Sequence, residues 1–417
     1  MCDRRDPANR TPPRDPPGRL RPVTQPQTRP GHPTGHPGGH PGGHPGGHPG
    51  GHPHGASRSG LDFDSAPFIA IWETTQACDL SCKHCRACAQ PERDSGELTT
   101  AEAKALMNRL REFGPIVFVF SGGDCFKRPD IVELVGHGAN LGLRMGITPA
   151  TTSLATKELM IELKRVGLTR LAISLDGSNA AIHDEFRQVQ GSFDHGLRIL
   201  REAQEVGLTT QVNTVIRKAN IDDMDAMTTL MTTLGVVFWE VFFLVPMGRA
   251  KADDVASAEE FEAVFNQLYD LSKTAPFDIK ATAAPQYSRV VMQRKRAESD
   301  EDVTEVMTRG MHYSQLDGIG RARNVNDGDG FVFISHTGDV MPSGFLPLKC
   351  GNIRDADIID IYRNSPVFKQ LRDRTLLKGK CGTCGYRGSC GGSRARAYAM
   401  TGDYLAAEPF CVYHEHG

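Results

Sequence analysis

The chain has 417 residues, 39% hydrophobic side chains, a formal net charge of −2 and 11 cysteines. That length accommodates one large α/β domain plus a smaller appendix, and the near-neutral balance offers no electrostatic footprint for a nucleic acid. No apolar run reaches the roughly 18 residues a membrane-spanning helix needs, and the charged, Pro-rich start lacks the apolar stretch of a secretory signal, so a cytoplasmic protein with reduced thiols is expected.

Residues 1–60 form a low-complexity arm in which HPGG recurs and His36, His40, His44, His48 and His52 stand four apart. Gly and Pro at that density cannot bury a core, which predicts disorder. Imidazoles on a flexible chain can chelate nickel, copper or zinc, but the composition favours a repeat-expanded linker with incidental affinity.

From Phe68 the pattern alternates between strands and helices. FIAIWETT (68–75) reads as a strand and 99–113 as a helix capped by Thr99 or Thr100. Strands follow at 116–120, 141–147, 170–176, 209–216 and 236–246, with helices at 129–139, 154–167, 193–207, 221–235 and 257–273. Six such βα units with largely apolar strands predict a parallel sheet covered by helices, an open, partial (β/α)6 TIM-like barrel over 66–292. Ligands of such sheets sit at the carboxyl ends of the strands. Residues 293–328 read as a charged linker, and 329–417 as a second region. That region opens with a hairpin at 330–344, turning at His336-Thr337-Gly338-Asp339, and continues with a short helix near 357–373. Its last forty residues, rich in Cys and Gly, need a metal to fold.

Cys78, Cys82 and Cys85 stand in a C-x3-C-x2-C arrangement directly after the first strand. Three thiolates on one loop grip three corners of a cubane and leave one iron open for a ligand, which makes such a site catalytic. The competing reading is a zinc knuckle, which wants four ligands; Cys88 is the available fourth and is read as a bystander.

The stretch resembles the signature of the radical S-adenosylmethionine (SAM) superfamily, in which an aromatic residue, here His84, precedes the third cysteine. The resemblance implies a catalytic [4Fe–4S] cluster with SAM chelated to its open iron, and a low-potential electron donor. SAM would be cleaved reductively to methionine and a 5′-deoxyadenosyl radical, which abstracts hydrogen from a substrate inside the barrel. It also implies SAM contacts at the turn Ser121-Gly122-Gly123-Asp124, at Ser174 and Asp176, at Asn213, and at the turn 245–248. The glycines of the first turn are read as leaving room for the ligand. Cys125 stands where family members often carry Pro, and is read as a harmless substitution.

Cys381-x2-Cys384-x5-Cys390, with Cys411 after twenty further residues, resembles the C-terminal SPASM/twitch-like extension of radical SAM maturases. The match is to that family's second auxiliary cluster. Ser343 and Ser393 stand where the first auxiliary cluster would need cysteines, so one auxiliary [4Fe–4S] cluster is expected; structural zinc is the competing reading. Cys350 is expected to be a free buried thiol. The strings CGTCGYRGSCGGSRARAYA and GDVMPSGFLPLKCGNIR look most like heme-biosynthesis enzymes of this type, which act on propionate side chains of iron tetrapyrroles. Arg394 and Arg396 are then candidates to pair with substrate carboxylates, with surface arginines as the default. Two other readings stay open: a maturase of a ribosomally made peptide, and a non-enzymatic metal-binding protein.

Overall fold

In strand β5, Thr209–Ile216, every second side chain is buried: Thr210, Val212, Thr214 and Ile216 point under helices, while Gln211, Asn213 and Val215 point the other way, into a chamber. This period of two is the rule of the whole sheet. The computed structural model describes residues 62–298, 311–313, 317, 319–322 and 325–415. The arm expected at 1–60, with its HPGG histidines, lies outside the described residues, as does much of the 293–328 segment.

The barrel elements are β1 (Ile69–Glu73), α1 (Thr100–Arg111), β2 (Val117–Ser121), α2 (Ile131–Asn140), β3 (Arg144–Ile147), α3 (Lys157–Arg165), β4 (Arg170–Ser174), α4 (Ala180–Arg187) and α5 (Ser192–Glu205). After β5 come α6 (Met224–Leu234), β6 (Phe238–Phe243), α7 (Ala258–Leu271), β7 (Asp278–Thr282) and α8 (Gln286–Glu298). A small antiparallel pair, β8 (Met311–Tyr313) and β9 (Gly320–Ala322), precedes β10 (Phe331–Ile334), β11 (Asp339–Met341) and β12 (Gly351–Asn352). The main sheet runs β12-β11-β10-β1-β2-β3-β4-β5-β6-β7. All pairings from β10 through β7 are parallel, and β11 and β12 add antiparallel.

The expected partial α/β barrel is therefore present, with two more parallel strands than the six read from the sequence. β7 escapes a search for apolar runs because its chamber face carries Lys280 and Thr282. β10 belongs to the expected 330–344 hairpin, but it docks on β1 from far along the chain, as no local pattern announces. Helix α8 crosses the boundary expected at 292 and 293.

The helices start where capping chemistry dictates. Thr99 and Glu102 form a reciprocal capping box on α1, and Ser257 and Glu260 do so on α7. Phe261, Val264, Phe265 and Leu268 form the buried stripe of α7. Each such large apolar side chain contributes about 1.5–3 kcal/mol when fully buried. Trp239, fully buried, donates its indole N–H to Thr214 Oγ1 at 2.9 Å, so its burial leaves no polar atom stranded. At the amino ends of the strands Arg170 grips Asp317 through two 2.8 Å bonds, and Thr209 donates to the same carboxylate at 2.6 Å.

Candidate active site and auxiliary cysteine site

The strands enclose a chamber of about 390 Å³, within the range of small-molecule sites. Cys78, Cys82 and Cys85 line it, as do Gly122, Gly123, Ser174 and Asn213. The cysteine loop is pinned from several sides. Cys78 N donates to Gln90 O at 2.8 Å, Lys83 N to Phe186 O at 3.1 Å, and Arg249 N to Cys85 O at 3.1 Å.

Each of the three sulfurs has an N–H donor: Leu80 N on Cys78 at 3.4 Å, Ala89 N on Cys85 at 3.3 Å, and Arg187 Nη1 on Cys82 at 3.7 Å. Burial pushes the Cys78 thiol up to about 12, and Cys82 is raised for the same reason. Sulfurs held by N–H donors in so dry a place are suited to thiolates bound to a positive iron centre rather than to free anions. His84, also on the loop, stacks on Phe186 at 4.1 Å, and burial brings its pKa down to about 3, so its ring is neutral. Its buried Nδ1 has no hydrogen-bond partner within the described residues. The donor set fits a cubane, with the chamber beside it open to a further ligand.

Gly122 and Gly123 line the chamber, and the backbone beside them independently demands glycine. A Cβ on Gly122 would lie 2.4 Å from Thr75 O, and one on Gly123 would lie 2.4 Å from Ala77 O. The turn is small because it packs on the backbone entering the cysteine loop, where Gly123 N and Asp124 N donate to those same two carbonyls. Asp124, expected to contact SAM, is fully buried behind the wall; it accepts from Phe126 N and Thr152 Oγ1 and is not among the lining residues.

Asp176 is likewise off the lining, buried, and accepts from Val215 N at 2.8 Å. Its other oxygen lies 2.6 Å from Arg187 Nη2. Arg187 itself lines the chamber, with Asp176 directly behind it. Sequence reasoning missed Arg187 because it missed α4. The available signal was Asn179, an N-cap residue ahead of AAIHDEFR, whose His183 and Phe186 are buried on one face.

Ser174 and Asn213 begin a row that the sequence reading did not complete. The strand register places Ser174, Asn213, Glu240 and Lys280 side by side on β4, β5, β6 and β7. Glu240 accepts from Lys280 Nζ at 2.9 Å, Gln211 Nε2 at 2.9 Å and Thr282 Oγ1 at 2.5 Å. On the other side β10, β1 and β2 contribute Phe331, Phe333, Ile69, Ile71, Val117 and Val119, with Ser121 at the end of β2 and Arg86 on the Phe333 ring.

Cys125 lies in the hydrophobic core rather than in the chamber, and Cys350 packs at the edge of that core and donates to Leu348 O at 3.3 Å.

Four helices complete the C-terminal region: α9 (Ile358–Asn364), α10 (Pro366–Arg372), α11 (Gly379–Thr383) and α12 (Arg394–Thr401). Around α11 and α12, Cys381, Cys384, Cys390 and Cys411 come together around a small pocket. Glu408 N donates to Cys381 Sγ and Gly392 N to Cys390 Sγ, both at 3.3 Å. Here too a set of thiols with backbone donors fits an iron–sulfur cluster. Ser343 donates to Asp327, and Ser393 caps α12 by accepting from Arg396 N at 3.2 Å, so both serines have protein partners.

Arg394 and Arg396 are neither substrate-facing nor on the surface; both are fully buried. Arg394 donates to Tyr404 O at 3.0 Å and Ala406 O at 2.7 Å. Arg396 pairs with buried Glu408 at 2.9 Å and reaches Phe243 O at 3.3 Å. The chain after α12 returns without regular structure, and its carbonyls need donors.

Sequence profiles match the radical SAM superfamily over residues 72–231 and the SPASM iron–sulfur cluster-binding domain over 327–385. The AdoMet-dependent heme synthase of Oleidesulfovibrio alaskensis is 41% identical over 352 residues, covering 83% of this chain and 87% of that one. The enzyme of that name from Methanosarcina barkeri is 39% identical, covering 84% and 97%. The fold is similar to Streptococcus suis SuiB bound to S-adenosylmethionine, with a TM-score of 0.64 at 15% identity over 84% of this chain and 78% of that one. Among the described residues no helix is long and apolar enough to cross a membrane. A cysteine triad at the carboxyl end of the first barrel strand, a cysteine quartet beyond the barrel and relatives spanning both lead to one conclusion: the chain is an enzyme of the radical SAM superfamily with a C-terminal SPASM domain.

Proposed function

We propose that this enzyme abstracts hydrogen from a propionate side chain of an iron tetrapyrrole. Cys78, Cys82 and Cys85 would hold the catalytic [4Fe–4S] cluster, and Cys381, Cys384, Cys390 and Cys411 a single auxiliary one. The observation that carries the substrate reading is the lining of the chamber. One wall presents Phe331 and Phe333 with Arg86 set on it, while the facing strands interleave Ser174, Asn213, Glu240 and Lys280 with Phe238 and Phe242. A flat aromatic macrocycle with charged side chains calls for that combination of aromatic surface and charged groups, and the identity to heme synthases supports it.

When bound, the cluster and SAM supply a carbon radical by one-electron cleavage of the sulfonium. The chain's own residues orient and shield. Arg187, between Asp176 and Cys82, offers its guanidinium to the carboxylate of SAM, with Ser174 and Asn213 as neighbouring hydrogen-bonding groups. The aromatic side chains of the lining keep water from the reacting carbon.

The test is anaerobic reconstitution, followed by SAM, dithionite and an iron porphyrin bearing propionates. The expected result is porphyrin-dependent release of 5′-deoxyadenosine together with a change in porphyrin mass, both lost in Cys82→Ala. Release of 5′-deoxyadenosine with the porphyrin unchanged would refute this substrate. For the auxiliary site, Cys384→Ala should fall from two cubanes of iron to one; unchanged iron would refute it.

A further inference from the structure

Among the described residues, four cationic side chains line the chamber: Arg86, Arg170, Arg187 and Lys280. Three are accounted for by their surroundings. Arg170 is held by the double bond to Asp317 at the amino ends of the strands. Arg187 lies against Cys82. Lys280 is paired with Glu240, which lines the chamber beside it and cancels its charge there.

Arg86 is left, with a counterion that, like Asp176 behind Arg187, stands outside the lining. Its Nη2 is 2.8 Å from Glu73 Oε2, but Glu73 is 3% exposed and is not a lining residue. The negative charge is therefore behind the arginine, and the chamber meets the positive end. The same Glu73 also bonds His336 Nδ1 at 3.0 Å, which fixes the carboxylate behind the arginine. A guanidinium carries five N–H donors in a fixed fork, and the pair with Glu73 occupies one of its nitrogens.

The fork is also held still. Its carbon lies 4.5 Å from the centre of the Phe333 ring, and a Cβ at Gly344 would come within 3.1 Å of its Nε. Ring and glycine together make a slot that sets the plane of the guanidinium. A planar, pre-oriented cation suits bidentate recognition of a carboxylate. Its place is informative too: Arg86 directly follows Cys85, and both line the same chamber.

We propose that Arg86 is a specificity-determining residue that receives a carboxylate of the substrate and anchors it in the chamber that Cys85 also lines, with Glu73 and Phe333 as its positioning partners. This rests on the reading of the substrate as a tetrapyrrole with propionate side chains.

The experiment uses the reconstituted holoenzyme with SAM. It titrates two probes, an iron porphyrin carrying free propionates and its methyl ester, following the porphyrin absorption band. The wild type should prefer the acid by roughly 10- to 100-fold, the value of one charge-assisted pair. Arg86→Gln should lose most of that preference by weakening the acid and leaving the ester alone; in turnover, KM for the acid should rise more than kcat falls. Arg86→Lys, which keeps the charge without the fork, should restore part of the preference. An acid-over-ester ratio in iron-loaded Arg86→Gln equal to the wild-type ratio overturns the proposal. Should that variant not take up iron, Arg86→Met repeats the comparison with a side chain that still packs on Phe333. A wild-type holoenzyme that binds neither porphyrin overturns the substrate reading, and this proposal with it. The two failures are distinguishable because one appears only in the variant and the other already in the wild type.

Discussion

Gly248 and Cys85 meet backbone to backbone. Gly248 has φ of +61°, and a Cβ there would lie 2.4 Å from the Cys85 carbonyl oxygen, which also accepts from Arg249 N at 3.1 Å. The turn at the end of the last predicted strand thus buttresses the loop that carries Cys78, Cys82 and Cys85.

Gly248→Ala should accordingly damage the first cluster more than the fold. The left-handed backbone alone costs an L-residue about 1 kcal/mol, and the contact with backbone cannot be relieved by a side-chain rotation. The expected outcome after reconstitution is iron falling toward one cubane per chain while the circular-dichroism spectrum is retained. Two cubanes in the variant would show that the turn can shift without cost.

Arg396 and Glu408 form a fully buried pair, so the loss of one partner strands the other. Arg396→Met should destabilise the protein by about 3–5 kcal/mol, read as a lower urea midpoint, whereas changing both partners to apolar residues should recover much of that. A single-site loss under 1 kcal/mol would place these side chains in contact with water.

The pair of Glu240 and Lys280 is more open, with side chains 14% and 29% accessible, so its value is smaller. Glu240→Gln and Lys280→Met should each cost about 1–2 kcal/mol, and the double variant less than their sum. Simple additivity in the double-mutant cycle would mean that the two charges act independently.

His336 gives the fold a pH dependence. Burial opposes its charge, but the hydrogen bond and charge of Glu73, with Asp94 and Glu97 nearby, outweigh burial and hold the imidazolium above its ordinary value. Arg86 shares Glu73 and faces the same cluster of charges. Because the folded-state value is the higher one, the stabilisation is complete below about pH 6.5 and is lost as pH rises through the folded value. The urea midpoint of the wild type should exceed that of His336→Gln most near about pH 6, with the gap closing toward about pH 9. A gap that widens with pH would reverse the assignment.

The barrel strands with apolar runs were legible because burial on both faces leaves little but Val, Ile, Leu and Phe to choose from. Cysteine spacing identified both clusters of thiols, since ligand geometry must be met by local chain. The polar row was legible only in part: Ser174 and Asn213 follow a resemblance, but Glu240 and Lys280 join them solely through strand register. Arg187 and Arg86 acquire meaning from what stands behind them, Asp176 and Glu73, and neither partnership has a sequence signature. The burial of Arg394 and Arg396 was misread for a related reason: an arginine serving carbonyls of an irregular segment looks, in sequence, like any charged residue.

Glu73 and His336 are 263 residues apart in sequence, yet their strands β1 and β10 lie side by side. Closing so long a loop is entropically unfavourable and slow, so this edge forms late, after most of the chain has left the ribosome. Until then the slot around Arg86 lacks Phe333 and Gly344, and the entrance to the thiol loop has no wall on that side. The strand that completes the slot around Arg86 is thus also the one that closes the chamber beside the cysteine loop.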